Sequence, residues 1–506
     1  MTSITVFDGS ETIGGTKIYV QERDNGLFLD FGMNFKKYGE YFQEFLKERP
    51  TRGIHDLVHL DLIPKLNIYR KDLIPSDLNV SLYPSLKIDA VLLSHAHMDH
   101  FGNISLLDPN IPIVASPTTI VLLKGILDSS KASLNNEVTY FFERVPADDD
   151  RILKSGSKPG KCRTFYSTYN YLDSMEKFLS TCIKKGKDFE RGELYYLDEL
   201  STTFEIKAFE VDHSIYGATG FIVSGDNSIA YTGDFRLHGK MGDKSKNFIK
   251  SAKDASILII EGTRATREDI NESENIVFNN CLDVVENSKD LIVADFSARN
   301  FERLETFREI ANKVEKKLVI TAKNAFLLKA LEMVDGIKRL KDVLIFNTLK
   351  VKSQNWEEKY LKNKEDINYI NPINVAKEPN RYILCFSLYD LKNLLDIKPT
   401  NGTYIYSSSE AFEEESEFDF IRLGKWLEHF GFKIFGFEII KEEGRLKPEF
   451  SRGFHASGHA SQNDIRWAIE TIDPDVIIPV HTDNPEWFAE NFDKTLLLKD
   501  GENFLK

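Results

Sequence analysis

His95-Ala96-His97-Met98-Asp99-His100 places four metal-capable side chains within six residues and decides the fold. This hexad follows residues 88–93, a largely apolar run that predicts a buried β-strand. The four side chains therefore lie on a loop at the carboxyl end of a strand, where α/β folds commonly build sites. Imidazole and carboxylate are ligands that zinc prefers. We expect His95 and His97 to converge on one metal ion, with Asp99 and His100 turned toward a second.

The composition is that of an ordinary globular protein with more than one domain. The chain has 506 residues, 42% apolar and 28% charged, a length that suits roughly two to four domains. No apolar run approaches the roughly 18 residues that span a bilayer, and the N-terminus lacks the features of a secretion signal. The 4 cysteines are scattered without a C-x-x-C pair, which favours a reducing compartment. We therefore expect a cytoplasmic protein.

The net charge of −14 argues against a generally basic surface for nucleic acid. A local field can oppose the mean charge, however, and cations cluster at residues 154–163 and 184–187. Taken alone, each stretch is more typical of a solvated loop than of a binding site. Charge by itself leaves nucleic acid open as a partner without indicating it.

The distribution of strands and helices predicts one α/β domain inserted into another. Short strands predominate in the first half, where residues 150–200 are polar and mixed and predict an elaboration outside the core. From about residue 270, strand-like runs alternate with helical periodicity, the pattern of βαβ units around a mostly parallel sheet. We predict a first domain in two parts, 1–270 and 448–506, and an inserted domain at 271–447.

Three further metal-capable residues each stand at the end of an apolar, strand-like run. They are His213 after residues 205–211, Asp234 after residues 228–232 and His481 after residues 475–480. A single histidine after a strand is more often a hydrogen-bonded loop residue than a metal ligand. Because the pattern recurs beside the hexad, we expect these distant segments to converge at one rim of a sheet.

Taken in chain order, these residues resemble the motifs of the metallo-β-lactamase superfamily. The matching set is Asp30, His95, His97, Asp99, His100, His213, Asp234 and His481. The resemblance implies one zinc ion held by His95, His97 and His213, and a second held by Asp99, His100 and His481. It also implies that Asp234 bridges the two ions and that Asp30 orients the hexad from behind the ligands. Because the flavodiiron branch has Glu where this chain has His97, zinc is favoured over iron.

Such a dinuclear site can hydrolyse phosphodiesters. Two metal ions roughly 3.5–4 Å apart lower the pKa of a shared water and bind the oxygens of an in-line displacement. The resulting hydroxide attacks phosphorus while zinc neutralises the developing charge. Asp99 belongs to this scheme as a ligand and as a catalytic residue.

The long insertion between Asp234 and His481 is similar to that of the β-CASP nucleases. That branch adds an acidic residue closing a strand, matched by Glu261 in I-I-E-G-T at 259–263. It also adds a histidine in a Gly-rich return segment, matched by His459 in F-H-A-S-G-H-A at 454–460. The resemblance implies an αββα sandwich interrupted by an α/β β-CASP domain with a mostly parallel sheet. It further implies that His459 protonates the leaving ribose oxygen while Glu261 holds its tautomer and charge.

Within this branch the chain looks most like the RNase J-like ribonucleases, in the archaeal-type form without a C-terminal domain. Their phosphate-binding motif is matched at 455–460, which implies this role for His455 and Ser457. Their pocket-lining insert segment is matched at 296–304, which adds Ser297 and Asn300. The chain departs from the family at Glu302, where an imidazole is expected, and at 479–483, where P-V-H-T-D does not end in Gly-Glu.

The resemblance thus implies a ribonuclease with two zinc ions per chain that acts on single-stranded RNA. A 5′-monophosphate pocket would support 5′-3′ exonuclease activity, and endonuclease activity and a homodimer are further expectations. The alternatives are a β-CASP nuclease acting on DNA, a small-molecule metallo-hydrolase and a non-catalytic binding subunit. The complete ligand set argues against the last, and so large an insert suits a polymer channel better than a small substrate.

Overall fold

Two sheets packed face to face form the first domain. The computed structural model describes residues 1–43, 45–131, 133–184, 187–190, 192–267, 272–362, 364–408, 414–442 and 445–506. Over these residues the larger sheet has eight strands. In spatial order they are Leu194–Tyr196, Phe165–Ser167, Ile113–Ala115, Ala90–Leu92, Asn25–Leu29, Lys17–Glu22, Thr2–Asp8 and Asn503–Leu505.

Part of the region predicted to be an elaboration outside the core belongs to this sheet. Phe165–Ser167 pairs in parallel with Ile113–Ala115, and Leu194–Tyr196 pairs in parallel with Phe165–Ser167. The expectation for 150–200 was therefore wrong for these two strands. Each has only three residues, too few for the alternation of polar and apolar side chains to stand out in the sequence.

The smaller sheet, five-stranded over the described residues, faces the larger one. In spatial order its strands are Glu205–Glu210, Thr219–Ser224, Ser228–Tyr231, Ile257–Glu261 and Val476–Val480. Pro479 is tolerated because its strand lies at the edge of the sheet. The missing N–H there costs no hydrogen bond to a neighbouring strand of the sheet. Buried aliphatic side chains of both sheets, such as Val6, Leu92 and Ile259, form one apolar layer between them.

Helices cover the outer faces and complete the αββα sandwich. Gly242–Ser251 and Gln462–Ile472 bury apolar residues against the smaller sheet. Pro117–Ser129 packs on the larger sheet and begins cleanly, since Ser116 Oγ accepts a hydrogen bond from Thr119 N at 3.1 Å. The fold class inferred from the sequence is confirmed for this domain.

The inserted domain contains a parallel sheet of seven strands within the described residues. In spatial order they are Asn368–Ile370, Val343–Phe346, Lys317–Ile320, Tyr382–Cys385, Leu291–Asp295, Gly402–Tyr406 and Phe432–Phe435. The central strand Leu291–Asp295 is buried throughout, as expected of a parallel strand covered on both faces. The predicted alternation of strands and helices is therefore present.

The remaining elements are short strand pairs and helices. The strand pairs are Arg144–Pro146 with Leu153–Ser155 and Phe437–Glu442 with Arg445–Phe450, and a further small sheet holds Tyr140–Phe141, Gly160–Cys162 and Phe189–Glu190. The other α-helices are Phe35–Gly39, His55–His59, Met98–Phe101, Asp173–Leu179, Glu274–Asn287, Phe301–Lys313, Ala322–Asp335, Asn355–Tyr360, Pro372–Lys377, Leu394–Ile397, Glu414–His429 and Glu486–Asn491. Among the described helices, none has the length and apolar character needed to span a membrane.

A continuous apolar core joins the insert to the first domain. Helix Pro117–Ser129 packs against helix Ala322–Asp335, and side chains of both belong to the same buried cluster. The insert is thereby held over the strand ends of the sandwich. The predicted boundary at 270/271 lies outside the described residues, and the boundaries of all three segments stay predictions.

Candidate metal centre and adjoining cavity

The predicted ligands come from the ends of strands in both sheets. Asp30 follows Asn25–Leu29, and the hexad follows the neighbouring parallel strand Ala90–Leu92. In the smaller sheet His213, Asp234 and His481 follow the strands that end at Glu210, Tyr231 and Val480. Because the two sheets face each other, these ends meet at one rim, and the structure brings the whole predicted set together.

Three histidines form the first cluster. His97 Nδ1 lies 3.0 Å from His95 Nε2 and 3.1 Å from His213 Nε2. Burial lowers the pKa of His95 and His97 well below the usual value and lowers that of His213 to about 4. The three rings are therefore neutral near pH 7, with nitrogen atoms directed at a common point, as a metal ion requires.

The second cluster consists of Asp99, His100 and His481. Asp99 Oδ2 lies 3.2 Å from His481 Nε2 and 3.8 Å from His100 Nε2. Although burial opposes it, the field of His100 and His481 holds the pKa of Asp99 below its usual range. The carboxylate is thus charged and shares one small space with two imidazoles.

Asp234 stands between the two clusters. Its Oδ2 lies 3.2 Å from His100 Nε2, 3.6 Å from His95 Nε2 and 3.8 Å from both His213 Nε2 and His481 Nε2. Among the described residues, Asp234 Oδ1 and His100 Nε2 are buried without a hydrogen-bond partner. Buried polar atoms without partners are costly, and a metal ion in each cluster would satisfy them. The donor set of imidazole and carboxylate therefore fits a metal cofactor.

The ring nitrogens that face away from the clusters are held by hydrogen bonds. His100 Nδ1 donates to Asp30 Oδ2 at 2.7 Å, and His213 Nδ1 donates to the Gly458 carbonyl at 2.6 Å. His481 Nδ1 lies 2.9 Å from Thr263 Oγ1. Such contacts fix ring orientation and leave the other nitrogen for a metal. Asp30 and Asp234 thus contact opposite nitrogens of the His100 ring.

His459 and Glu261 form a pair beside the second cluster. His459 Nδ1 lies 3.1 Å from Glu261 Oε1 and 3.2 Å from Oε2. Burial disfavours charge on the ring, but the carboxylates of Glu261 and Asp234 raise the pKa of His459 to about 9. The imidazole is therefore protonated near neutral pH, and its Nε2 is not engaged by Glu261.

A cavity of about 470 Å³ adjoins the first cluster. The four residues predicted to bind phosphate, Ser297, Asn300, His455 and Ser457, all line it, together with His97, His213 and His459. Asn300 Oδ1 also accepts a hydrogen bond from Arg303 N at 3.0 Å and so caps the helix Phe301–Lys313. The structure thus brings insert and return segment to one space beside the histidines.

Four arginines near the site were missed by the sequence analysis. Arg264, Arg267 and Arg452 line the cavity, and Arg299 Nη1 donates to the carbonyl of Ala96 inside the hexad at 2.9 Å. They stand singly along the chain, so no basic run marks them. The one available signal was that Arg264 and Arg267 closely follow Glu261, at the end of a strand that already supplied a site residue.

Glu302, the departure from the family pattern, does not line the cavity in the structure. It accepts a hydrogen bond from Arg236 Nη2 at 2.6 Å, and Arg236 Nη1 donates to the Ser457 carbonyl at 3.0 Å. Arg303 extends this buried network by pairing with Glu274 at 2.9 Å and by donating to the Phe454 carbonyl. Glu302 therefore helps to hold the return segment that carries His455, Ser457 and His459.

Comparison with known proteins agrees with this architecture. Residues 70–119 match the family described as the metallo-beta-lactamase superfamily, and residues 445–495 match the Zn-dependent metallo-hydrolase RNA specificity domain. A crystal structure of a protein of unknown function from Enterococcus faecalis is similar over 99% of both chains, with a TM-score of 0.66 and 22% identity. At that identity the likeness shows the fold.

Curated relatives named Ribonuclease J match most of the chain at low identity. The Pyrococcus abyssi protein is 22% identical over 95% of this chain and 90% of its own length. The Mycoplasma pneumoniae protein is 20% identical over 95% of this chain and 68% of its own length. For the Mycoplasma genitalium protein the figures are 21% identity, 78% and 58%, so the chain spans less than two thirds of that relative.

Fold, site and comparisons together define the class of protein. The chain has the metallo-β-lactamase fold and is a metal-dependent hydrolase. The inserted parallel sheet and the return segment described above resemble those of the RNase J-like β-CASP branch, in keeping with the relatives named Ribonuclease J.

Proposed function

We propose that this protein is a ribonuclease that uses two zinc ions to hydrolyse phosphodiester bonds of single-stranded RNA. The observation that carries the proposal is Asp234 Oδ2, which lies within 3.8 Å of ligand nitrogens in both clusters and of His459 Nδ1. Two metal positions and an acid are thus grouped around one carboxylate. The match of residues 445–495 to an RNA specificity domain supports RNA as the substrate.

His95, His97 and His213 would hold one zinc ion, and Asp99, His100 and His481 the other, with Asp234 shared. Bound there, zinc would supply Lewis-acid chemistry and lower the pKa of water. Neutral imidazoles suit the first position, since a protonated ring offers no lone pair. Asp30 would keep the His100 ring in its ligating orientation.

His459 is proposed to donate the proton that the leaving oxygen needs. An alkoxide is a strong base, so cleavage requires an acid within reach. Glu261 accepts from Nδ1 and leaves Nε2 to carry the transferred proton. Glu261 is itself fixed, because it accepts hydrogen bonds from Thr263 N at 3.1 Å and Phe235 N at 3.3 Å.

The cavity beside the first cluster is proposed to bind the 5′-phosphate of the RNA. Ser297, Asn300, His455 and Ser457 offer hydrogen bonds, and Arg264, Arg267 and Arg452 add positive charge at the same place. Arginine suits phosphate because its planar group donates in pairs. Positive charge concentrated in the cavity would attract a polyanion even though the net charge of the chain is −14. In the second basic stretch, 184–187, residues 185 and 186 lie outside the described part of the chain.

This binding mode favours 5′-3′ exonuclease activity, with endonuclease activity as an addition. Relatives named Ribonuclease J support the same reading of the substrate. We also propose the three-part domain division at 270/271 and 447/448, a cytoplasmic location in keeping with the unpaired cysteines, and a homodimer.

The test compares matched 5′-phosphorylated RNA and DNA strands with purified protein and added zinc. We expect RNA to be degraded faster, and faster degradation of DNA would overturn the substrate assignment. A second series compares RNA with a 5′-monophosphate, triphosphate or hydroxyl. Arg452→Gln should reduce the preference for the monophosphate, whereas Arg445→Gln, at an exposed position outside the cavity, should retain it.

A further inference from the structure

An exposed aromatic segment follows the first β-hairpin. Residues 35–46, which we call the aromatic segment, begin with the helix Phe35–Gly39. Phe35 is 50% exposed, Tyr41 45% and Phe45 87%, and Lys36 lies among them on the surface. Exposed apolar side chains that lie close together on a surface mark candidate interaction sites. Residue 44 lies outside the described part of this segment.

The two residues that precede this segment contact the loops beside the metal centre. Met33 N donates to the Met98 carbonyl at 3.1 Å, so the chain just before Phe35 pairs with the hexad loop. Asn34 Nδ2 donates to Thr12 Oγ1 at 3.0 Å, and Gly15 N from the same loop donates to the Asp99 carbonyl at 3.1 Å. These contacts place Phe35 one residue beyond a wall of the second cluster.

A second contact involves the loop that carries His481. Lys36 Nζ lies 3.5 Å from Asp483 Oδ1, and Asp483 is two residues after His481. Phe35 and Lys36 therefore lie at the rim formed by the Asp99 and His481 loops. The cavity lies toward the first cluster, whose His97 and His213 line it, and it reaches the loop that carries Thr12 and Gly15 at Ile13.

The cavity, the clusters and Phe35 thus lie along one possible path for a polymer. A strand with its terminal phosphate in the cavity crosses the clusters and leaves over Phe35 and Lys36. Phe35 offers a flat ring to a base, and Lys36 offers a cation to the backbone beside it. Stacking of bases on aromatic side chains tolerates any sequence, which suits an enzyme that degrades a strand stepwise.

We propose that Phe35, with Lys36, forms a stacking platform for a nucleotide of single-stranded RNA beyond the cleavage site. The inference rests on the proposed function and adds to it a determinant of substrate length. It predicts that strands long enough to reach from the cavity to Phe35 bind more tightly than strands that are too short.

The experiment measures kcat and KM for 5′-phosphorylated oligoribonucleotides of two, four, eight and twelve nucleotides. The variants are Phe35→Leu, which keeps apolar bulk but has no aromatic face, and Phe35→Trp, which keeps and enlarges it. The control is Leu82→Ala, which removes an apolar side chain that is 79% exposed elsewhere in the first domain. Size-exclusion chromatography with light scattering follows the oligomeric state of each.

With wild-type protein and Leu82→Ala we expect KM to fall as the strand lengthens. Phe35→Leu should raise KM for the long strands by roughly tenfold and change kcat less. Phe35→Trp should keep the low KM of the wild type for these strands. Equal effects at all lengths, or full length dependence in Phe35→Leu, would overturn the platform while leaving ribonuclease activity in place. A changed oligomeric state in Phe35→Leu would instead identify this surface as a contact between copies. If wild-type protein cleaves no RNA, the proposed function fails and the platform with it.

Discussion

The Asp30 carboxylate accepts a hydrogen bond from His100 Nδ1 at 2.7 Å, and this contact turns Nε2 of the ring toward Asp234. Asp30 also accepts from Ser94 Oγ at 2.7 Å and from Tyr231 Oη at 2.6 Å. With Ser94 N as a fourth donor at 2.7 Å, this buried carboxylate is rigid, so it fixes the tautomer of His100 as well as its position. The geometry of the candidate metal centre therefore depends on Asp30, which holds the His100 ring, as well as on the side chains that face the metal positions.

Asp30→Asn should weaken metal binding. The amide cannot accept the His100 proton with the strength of a carboxylate, so the ring loses its fixed tautomer, and we expect zinc affinity to fall by about 10- to 100-fold. Competition with a chelator, followed by metal analysis, measures this. The matched control is Asp24→Asn, in the exposed turn between the strands Lys17–Glu22 and Asn25–Leu29. Wild-type zinc affinity in Asp30→Asn would contradict the role.

Substitutions of the ligands and of the acid should have different effects on metal content. His97→Ala and Asp234→Ala should lose cleavage and zinc together, because each removes a donor from a cluster. His459→Ala should lose cleavage and retain about the zinc content of the wild type. Elemental analysis of the purified proteins decides. Unchanged zinc in Asp234→Ala would refute the shared-ligand assignment.

The His459–Glu261 pair should affect turnover through proton transfer. His459→Ala should lower kcat by about 10²–10⁴-fold, the range of a general acid. Glu261→Gln should have a smaller effect, about 10- to 100-fold, since it leaves the imidazole but weakens its hold. Single-turnover cleavage rates measure both. His429→Ala, an exposed histidine of the insert, should turn over at the wild-type rate. An RNA substrate with a more acidic leaving group should recover part of the loss in His459→Ala.

Asp295 should make stability depend on pH. It is buried at the end of a central strand of the insert, and burial raises the pKa of its carboxyl to about 7, despite a hydrogen bond from Tyr404 Oη. The folded state therefore holds a proton that the unfolded chain releases near pH 4. Between these values the folded state binds more protons, so this group lowers the free energy of unfolding as pH rises, by about 1 kcal/mol per unit.

Urea unfolding of wild type and Asp295→Asn between pH 5 and pH 8 measures this effect. The wild type should lose stability relative to the variant up to about pH 7, since Asn carries no titrating proton. Asp396→Asn, exposed in the same domain, is the control. Parallel curves for wild type and Asp295→Asn would contradict the prediction.

Elements with strong patterns could be predicted from the sequence. The buried strand Leu291–Asp295 and the strand Val343–Phe346 belong to the alternation predicted from about residue 270, because buried parallel strands are apolar runs that end at polar residues. The short strands Phe165–Ser167 and Leu194–Tyr196 could not be predicted, since they are held by the sheet edge they join rather than by their own pattern. A run of apolar residues therefore predicts a strand only where the strand is long and buried on both faces.

The sequence by itself predicted the candidate ligand set, because seven donors, and Asp30 behind them, stand at strand ends in the order of a known family. Tertiary structure alone decided how they meet: Asp234 between the clusters, Arg236 and Glu302 holding the return segment, and Arg264, Arg267 and Arg452 around the cavity. A motif marks residues that are close along the chain or share a spacing. The arginines share neither, and only the packing of the insert over the sandwich brings them to one place.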